Sequence, residues 1–179
     1  MVGDEVELRL TVNGREQTAR VDRRALLVEA LRDGFGVTGP KMGCLTGDCG
    51  ACTVRLGGLV TKSCLRLAVA EQDAEVRTIE GMGGAPGELS DLQTAFWDDH
   101  AFQCGFCLSG MLFSAEDLLD RSPSPSEVEI RDALSGNLCR CTGYDGIVDA
   151  VATCASRRAA ASSSPCGEQQ EGSTAVSDS

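Results

Sequence analysis

The amino-acid sequence predicts an α+β fold, in which a strand-rich first half is followed by a helical second half. In the first half, apolar and polar residues alternate over residues 6–12 and an Asn13-Gly14 pair follows, a pattern typical of a β-hairpin. In the second half, apolar residues recur at helical spacing. Eight of the ten cysteines form two groups of four, one in each half. Each half is therefore expected to hold its own metal centre.

The strand-rich half begins with the hairpin, whose second strand is predicted over residues 17–21. A helix is predicted over residues 24–33, with Asp22 as its N-cap and Gly34 at its end. Glycines then alternate with cysteines, and small residues allow the chain to wrap closely around a metal cluster. Further short strands are predicted at residues 53–56, 59–60 and 75–79.

A change of pattern after residue 80 indicates a second domain. Residues 81–89 are rich in glycine and predict a linker, so the domains are expected at residues 1–80 and 90–159. Ser90 is placed to cap the first helix of the second domain. Residues 160–179 predict a disordered tail, because they are rich in small and polar residues. The helices of the second domain are predicted at residues 90–100, 108–121, 126–134 and 145–159.

The cysteine spacings indicate the kind of metal centre. The first set has the C-x4-C-x2-C…C spacing, which is the established ligand pattern of plant-type [2Fe-2S] centres. The second set joins a C-x2-C pair to a C-x-C pair. The first set is Cys44, Cys49, Cys52 and Cys64, and the second is Cys104, Cys107, Cys139 and Cys141. His100 is the only histidine, which excludes two-histidine zinc sites and Rieske centres.

Composition excludes several classes of protein. The 27 acidic against 16 basic residues give a net charge of −11, which disfavours binding to nucleic acids. Apolar stretches are too short to span a membrane, and the amino terminus lacks the pattern of a signal peptide. A cytoplasmic location is therefore expected, where cysteines with this spacing bind metal rather than form disulfides.

Three sequence runs together resemble the xanthine oxidase/aldehyde oxidase family of molybdenum hydroxylases. They are GCLTGDCGACTV at residues 43–54, FQCGFC at 102–107 and GNLCRCTGY at 136–144. The chain looks like the separate iron-sulfur small subunit of bacterial members, such as carbon monoxide, xanthine, nicotine and quinoline dehydrogenases. The resemblance implies a β-grasp, ferredoxin-like domain followed by a four-helix-bundle domain, each holding one [2Fe-2S] cluster.

The resemblance also implies partners and an order of electron transfer. A large subunit would hold molybdopterin and oxidise the substrate, and a medium subunit would hold FAD, in a heterotrimer or a dimer of heterotrimers. Electrons would pass from molybdenum to the second cysteine set, then to the first, and then to FAD. Gln103 and Cys141 match family positions close to the pterin. No catalytic residue or substrate site is expected on this chain.

Two other functions remain open from the residues alone. The chain could be a free-standing ferredoxin with two clusters, or a structural zinc protein with two four-cysteine sites. One departure from the family concerns the residues after Cys107, where the family commonly has Thr-Pro-Gly-Met and this chain has Leu-Ser-Gly-Met. Ser109 could there cap the helix. Cys154 is predicted to be a buried core thiol, and Cys166 falls in the predicted tail.

Overall fold

The structure is a computed structural model that describes residues 4–83 and 87–163. We call residues 4–83 the sheet half and residues 87–163 the helical half. The middle of the predicted linker, the predicted tail beyond residue 163 and Cys166 lie outside the described residues. Within the described ranges, no helix has the length and apolar character that a membrane span requires.

The sheet half contains one mixed five-stranded sheet. Its strands are β1 (Glu5–Val12), β2 (Arg15–Asp22), β3 (Thr53–Leu56), β4 (Leu59–Lys62) and β5 (Glu75–Arg77). The order across the sheet is β2-β1-β5-β3-β4, with β5 parallel to β1 and every other neighbouring pair antiparallel. The last strand is thus inserted between two hairpins, which is the β-grasp arrangement. The predicted hairpin turn at Asn13-Gly14 is confirmed, because both residues have the positive φ that this turn requires.

The helix of the sheet half begins later than predicted. A short helix, α1 (Leu27–Glu29), continues directly as a π-helical turn over Ala30–Gly34. The prediction that Asp22 caps this helix is wrong. The Asp22 carboxylate instead accepts a hydrogen bond from the Arg24 N–H, within a turn that precedes the helix. At the true start, the Glu29 carboxylate accepts a hydrogen bond from the Leu26 N–H at 2.7 Å.

The helical half contains four helices, as predicted. They are α2 (Asp91–Asp98), α3 (Leu108–Arg121), α4 (Glu127–Leu134) and α5 (Asp145–Ser163). Ser90 and Ser126 cap α2 and α4 through reciprocal hydrogen bonds with Gln93 and Glu129, the capping-box arrangement. Helix α5 continues to Ser163, so it runs past the predicted end at residue 159. The alanines at this end favour helix strongly enough to extend it.

Each half buries its own apolar core. In the sheet half, side chains from β1, the π-helical turn and β5 such as Leu8, Leu31 and Val76 are fully buried. In the helical half, Phe113 of α3 and Cys154 of α5 lie in the core, which confirms that Cys154 is a buried thiol.

Ion pairs join the two halves beside the sheet. Glu116 of α3 accepts hydrogen bonds from Arg55 of β3, at 2.9 Å, and from Arg77 of β5. The Arg77 guanidinium also lies over the Phe113 ring, 5.7 Å from its centroid, a favourable cation–π arrangement. The Glu116 and Arg55 side chains are only 14% and 18% exposed. Glu116 is therefore the shared carboxylate partner of two partly buried arginines.

Replacing Glu116 with alanine is expected to destabilise the protein. The change leaves both arginines without their shared carboxylate, and we expect the free energy of unfolding to fall by about 2 kcal/mol, less than for a fully buried pair because water still reaches the site. Urea denaturation measures this. Asp117→Ala on the same helix is the control, because its pair with Arg121 is exposed and should change stability by at most about 0.5 kcal/mol. Equal losses in both variants would contradict the assigned role of Glu116.

Candidate metal centres

The first cysteine set lies where the loop after the π-helical turn meets the end of β4. Cys52 directly precedes β3, and Cys64 lies in a single 3-10 turn that follows β4. Ser63 ties these two segments together, because its hydroxyl donates a 2.6 Å hydrogen bond to the Cys52 carbonyl. Cys52 and Cys64 are buried against Val28 of α1. The β3-β4 hairpin therefore brings two distant cysteines together.

The loop of the first set turns its backbone N–H groups toward a sulfur. The N–H groups of Thr46 and Cys49 both point to the Cys44 Sγ at 3.4 Å. This requires positive φ at Leu45 (60°) and at Gly47 (87°), and a non-glycine residue held in that region is strained. Hydrogen bonds from the Thr46 side chain, and then from the backbone of Cys49 and Thr46, lower the pKa of the Cys44 thiol to about 6.

At the buried end of the first set, the pKa of a cysteine is shifted in the opposite direction. Burial, followed by the neighbouring Cys52 thiol, raises the pKa of Cys64 to about 11. A buried thiol beside another thiol ionises readily only when a positive charge lies next to it. Bound iron supplies such a charge, since a coordinating thiol is deprotonated by its metal.

The second cysteine set lies at the start of α3 and in the segment between α4 and α5. Cys107 is the N-cap residue of α3 and is buried, whereas Cys104 precedes it on the surface. The Sγ atoms of Cys104 and Cys141 lie 3.5 Å apart. Burial, and then the adjacent Cys139, raises the pKa of Cys107 to about 12. The structure thus brings together all four cysteines of this set from two separate segments.

The thiols of both sets approach one another in pairs. Within the described ranges, no group of three or more Cys, His, Asp or Glu side chains is arranged to hold a single metal ion. A [2Fe-2S] cluster takes two thiolates on each of two irons. The paired arrangement fits the two-iron cluster. The pairs are Cys44 with Cys49, Cys52 with Cys64, Cys104 with Cys141, and Cys107 with Cys139.

Gln103 and Cys141, the two residues predicted to contact a pterin, lie together on the surface. The Gln103 Nε2 donates a 3.2 Å hydrogen bond to the Cys141 carbonyl, and the Cys141 side chain is exposed. The two residues thus form one polar edge of the second set. Their contact with a pterin stays a prediction.

The two cysteine sets meet at a contact that the sequence did not reveal. The Leu138 N–H donates a 3.0 Å hydrogen bond to the Cys49 carbonyl, which places a neighbour of Cys139 directly on a residue of the first set. The Asn137 side chain is buried beside it, and its amide donates to the Ser114 hydroxyl at 2.9 Å. We call this contact between the two halves the seam.

Further contacts across the seam correct one prediction. Ser109 does not cap α3. Its buried hydroxyl donates a 2.5 Å hydrogen bond to the Thr53 carbonyl in the other half. Lys62 adds hydrogen bonds to the carbonyls of Gly47 and Gly136, one on each side of the seam. The only sequence signal for these residues is that several lie next to the cysteines.

The chain matches two families with different parts of its sequence. Residues 10–78 match the 2Fe-2S iron-sulfur cluster binding domain, and residues 78–152 match the [2Fe-2S] binding domain. The two matches cover most of the sheet half and most of the helical half. The chain therefore has two [2Fe-2S]-binding domains.

Several characterised proteins are similar over most of the chain. The nicotine 6-hydroxylase small subunit of Paenarthrobacter nicotinovorans is 50% identical over 148 residues, which cover 83% of this chain and 88% of that protein. The caffeine dehydrogenase subunit gamma of Pseudomonas sp. (strain CBB1) is 44% identical over 145 residues, covering 79% of this chain and 86% of that subunit.

Solved structures confirm the predicted fold class. Quinoline 2-oxidoreductase from Pseudomonas putida 86 has a chain that superposes with a TM-score of 0.82 at 42% identity, covering 90% of this chain and 99% of that one. The aldehyde oxidoreductase from Desulfovibrio desulfuricans ATCC 27774 gives a TM-score of 0.79 at 41% identity, covering 86% of this chain but 17% of that longer one.

Proposed function

Because the chain belongs to the xanthine oxidase/aldehyde oxidase family of molybdenum hydroxylases, as one of its iron-sulfur small subunits, we propose that it conducts electrons from a molybdopterin-containing large subunit to an FAD-containing medium subunit. The observation that carries this proposal is the joining of two four-thiol sets through one hydrogen bond, from the Leu138 N–H to the Cys49 carbonyl. A chain that only held two separate structural metals would not need this connection.

The chain's own part is to hold and connect the two centres. Each [2Fe-2S] cluster, when bound, supplies a site that takes up and releases one electron. Cys49 and Cys139 are ligands of different centres, and only Leu138 and one hydrogen bond lie between them along the backbone. The buried side chains of Asn137 and Ser109 add hydrogen bonds at the seam, to the Ser114 hydroxyl and to the Thr53 carbonyl.

The exposed edge of the second cysteine set is the expected interface with the large subunit. Cys104 and Cys141 are both exposed in this chain, and Gln103 holds the Cys141 backbone from outside. A redox centre left open to water loses control over its potential and its reactions. We therefore assign this edge to the interface with the pterin-bearing subunit.

The surface beside the first cysteine set is the expected interface with a second partner. Leu45, within the ligand loop, and Leu65, which follows Cys64, are 46% and 60% exposed. Leu65 packs beside Gly47, so the two leucines present apolar surface close to this centre. Apolar surface beside a functional site marks an interface. We assign it to the FAD subunit, in a heterotrimer or a dimer of heterotrimers, and place the assembly in the cytoplasm.

The partner subunits, and not this chain, are expected to determine the substrate of the assembly. The relatives are named for nicotine, caffeine and nicotinate, and for aldehydes. Small subunits with the same domains thus serve enzymes with different substrates. Substrate choice is consistent with a site on the large subunit, and this chain carries electrons away from it.

Native purification of a tagged chain tests the proposed function. We expect a large subunit containing molybdenum and a flavin-containing subunit to co-purify with it, together with four irons per chain because each of the two clusters holds two. Co-purification is measured by gel filtration with metal and flavin analysis of the same fraction. A chain that carries iron but elutes alone would instead support a free-standing ferredoxin, and a chain that carries only zinc would support a structural protein.

A further inference from the structure

The residues that follow the last two cysteines fold back onto Cys139. The Thr142 Oγ1 lies 3.2 Å from the Cys139 Sγ. The same oxygen accepts a hydrogen bond from the Tyr144 N–H, also at 3.2 Å. When Cys139 is a metal-bound thiolate its sulfur has no proton, so the Thr142 hydroxyl must be the donor of this contact. The Tyr144 N–H strengthens that donor, because hydrogen bonds in a chain polarise one another.

The Tyr144 side chain binds the backbone N–H of Cys139. The Cys139 N–H donates a 2.9 Å hydrogen bond to the Tyr144 hydroxyl, which in turn lies 3.4 Å from the Asn137 carbonyl, to which it donates. The Cys139 N–H is thereby directed at oxygen and is not available to a sulfur. The backbone N–H groups of Cys141 and Thr142 also donate to the Cys139 sulfur. The Thr142 hydroxyl is a side-chain donor, so a substitution can remove it.

The backbone of this turn is held in an unfavourable conformation. Gly143 and Tyr144 both have positive φ, at 71° and 75°. A bulky non-glycine residue in that region costs free energy and persists only when surrounding contacts enforce it. The contacts here are the two hydrogen bonds of Tyr144, through its N–H and its hydroxyl. Together these two hydrogen bonds hold the Thr142 hydroxyl in contact with the Cys139 sulfur.

We propose that Thr142 sets the reduction potential of the second centre through its hydrogen bond to the Cys139 sulfur, and that Tyr144 is the positioning residue that holds it there. Reduction adds negative charge to an iron-sulfur centre, so a donor to sulfur stabilises the reduced form and raises the potential. A higher potential favours the arrival of an electron from the pterin side. The inference rests on the proposed function, in that the second set must hold a redox cluster.

The test is a redox titration of the holoprotein, followed by electron paramagnetic resonance, on the Thr142→Val variant. We expect the midpoint potential of the second centre to shift to a lower value. The midpoint potential of the first centre should remain unchanged and serves as an internal reference. Thr142→Ser, which keeps the hydroxyl, should restore most of the original potential. Thr142→Ala provides a second, smaller hydroxyl-free side chain should valine prevent assembly of the centre, and the same downward shift is expected.

Thr94→Val is the matched control. Its hydroxyl donates to the Ser90 carbonyl within α2, so the same substitution in the same half removes a hydrogen bond that involves no thiol. An unchanged potential in Thr142→Val or Thr142→Ala, relative to this control, overturns the inference. Failure of the proposed function is distinct, because it is read from the unmodified protein, which would then elute without its partner subunits or show no signal from a second iron-sulfur centre.

Discussion

Replacing Cys139 with serine is expected to remove the signal of the second iron-sulfur centre and to stop electron transfer through the chain. Cys139 pairs with Cys107 and lies one residue from the seam hydrogen bond, so its substitution removes a proposed ligand of the second centre and interrupts the proposed route at the seam. Changes to indirect partners of metal ligands already cost about 10–100-fold, so turnover of the assembled enzyme should fall by more than about 100-fold. Cys104→Ser is expected to behave in the same way.

The first centre should survive these changes. Its four proposed ligands come from the sheet half, which has its own core, so its resonance signal should remain in Cys139→Ser. Cys154→Ala is the control, because Cys154 is a fully buried thiol that belongs to neither set, and both signals should persist in it. Full turnover in Cys139→Ser or Cys104→Ser would refute the proposed route.

Replacing Gly110 with alanine is expected to disrupt the seam. A Cβ at this position of α3 would lie 2.1 Å from the Asn137 Oδ1 and 2.4 Å from the Gly50 carbonyl oxygen. The second of these contacts is with backbone, so it cannot be relieved by a side-chain rotation. We expect a loss of about 3 kcal/mol in the free energy of unfolding, the upper range for overpacking a closed site. Urea denaturation of the iron-loaded protein measures the loss.

Gly146→Ala is the matched control for this change. Gly146 also lies in a helix, α5, but a Cβ there would meet nothing nearer than the Ala101 Cα at 3.9 Å. Alanine favours helix over glycine, so this variant should be unchanged or more stable by up to about 1 kcal/mol. A Gly110→Ala variant as stable as Gly146→Ala would show that the seam is not closely packed.

Local signals in the sequence were sufficient for most of the fold. The Asn13-Gly14 turn specifies its hairpin because few other residues adopt the required positive φ. Ser90 and Ser126 mark their helix starts because each is followed three residues later by Gln93 or Glu129, which completes the cap. In these cases the residues that decide the structure are neighbours in the chain.

The start of α1 shows where local signals mislead. Asp22 is a good capping residue, but its carboxylate binds the Arg24 N–H in a turn, and side chains of this type stabilise turns as readily as helix starts. The helix begins only after Leu26, which pairs with Leu67 through an isolated β-bridge. That partner is distant in the sequence, so tertiary contact rather than propensity decides the boundary.

The seam could not be predicted for the same physical reason. Cysteine spacing identifies which residues share a centre, but not which faces of the two centres meet. Asn137 fits against Gly50 and Gly110, which belong to different halves, and Ser109 binds a carbonyl of β3 rather than its own helix. Such contacts depend on how the halves dock, which no short-range pattern encodes.

Low-temperature electron paramagnetic resonance of the dithionite-reduced, natively purified protein tests the central claim most directly, with iron, molybdenum and zinc measured in the same sample. The account predicts two distinct [2Fe-2S] signals, one from each cysteine set, in a sample that also contains molybdenum. A silent sample that contains only zinc would contradict it and would make the chain a structural module.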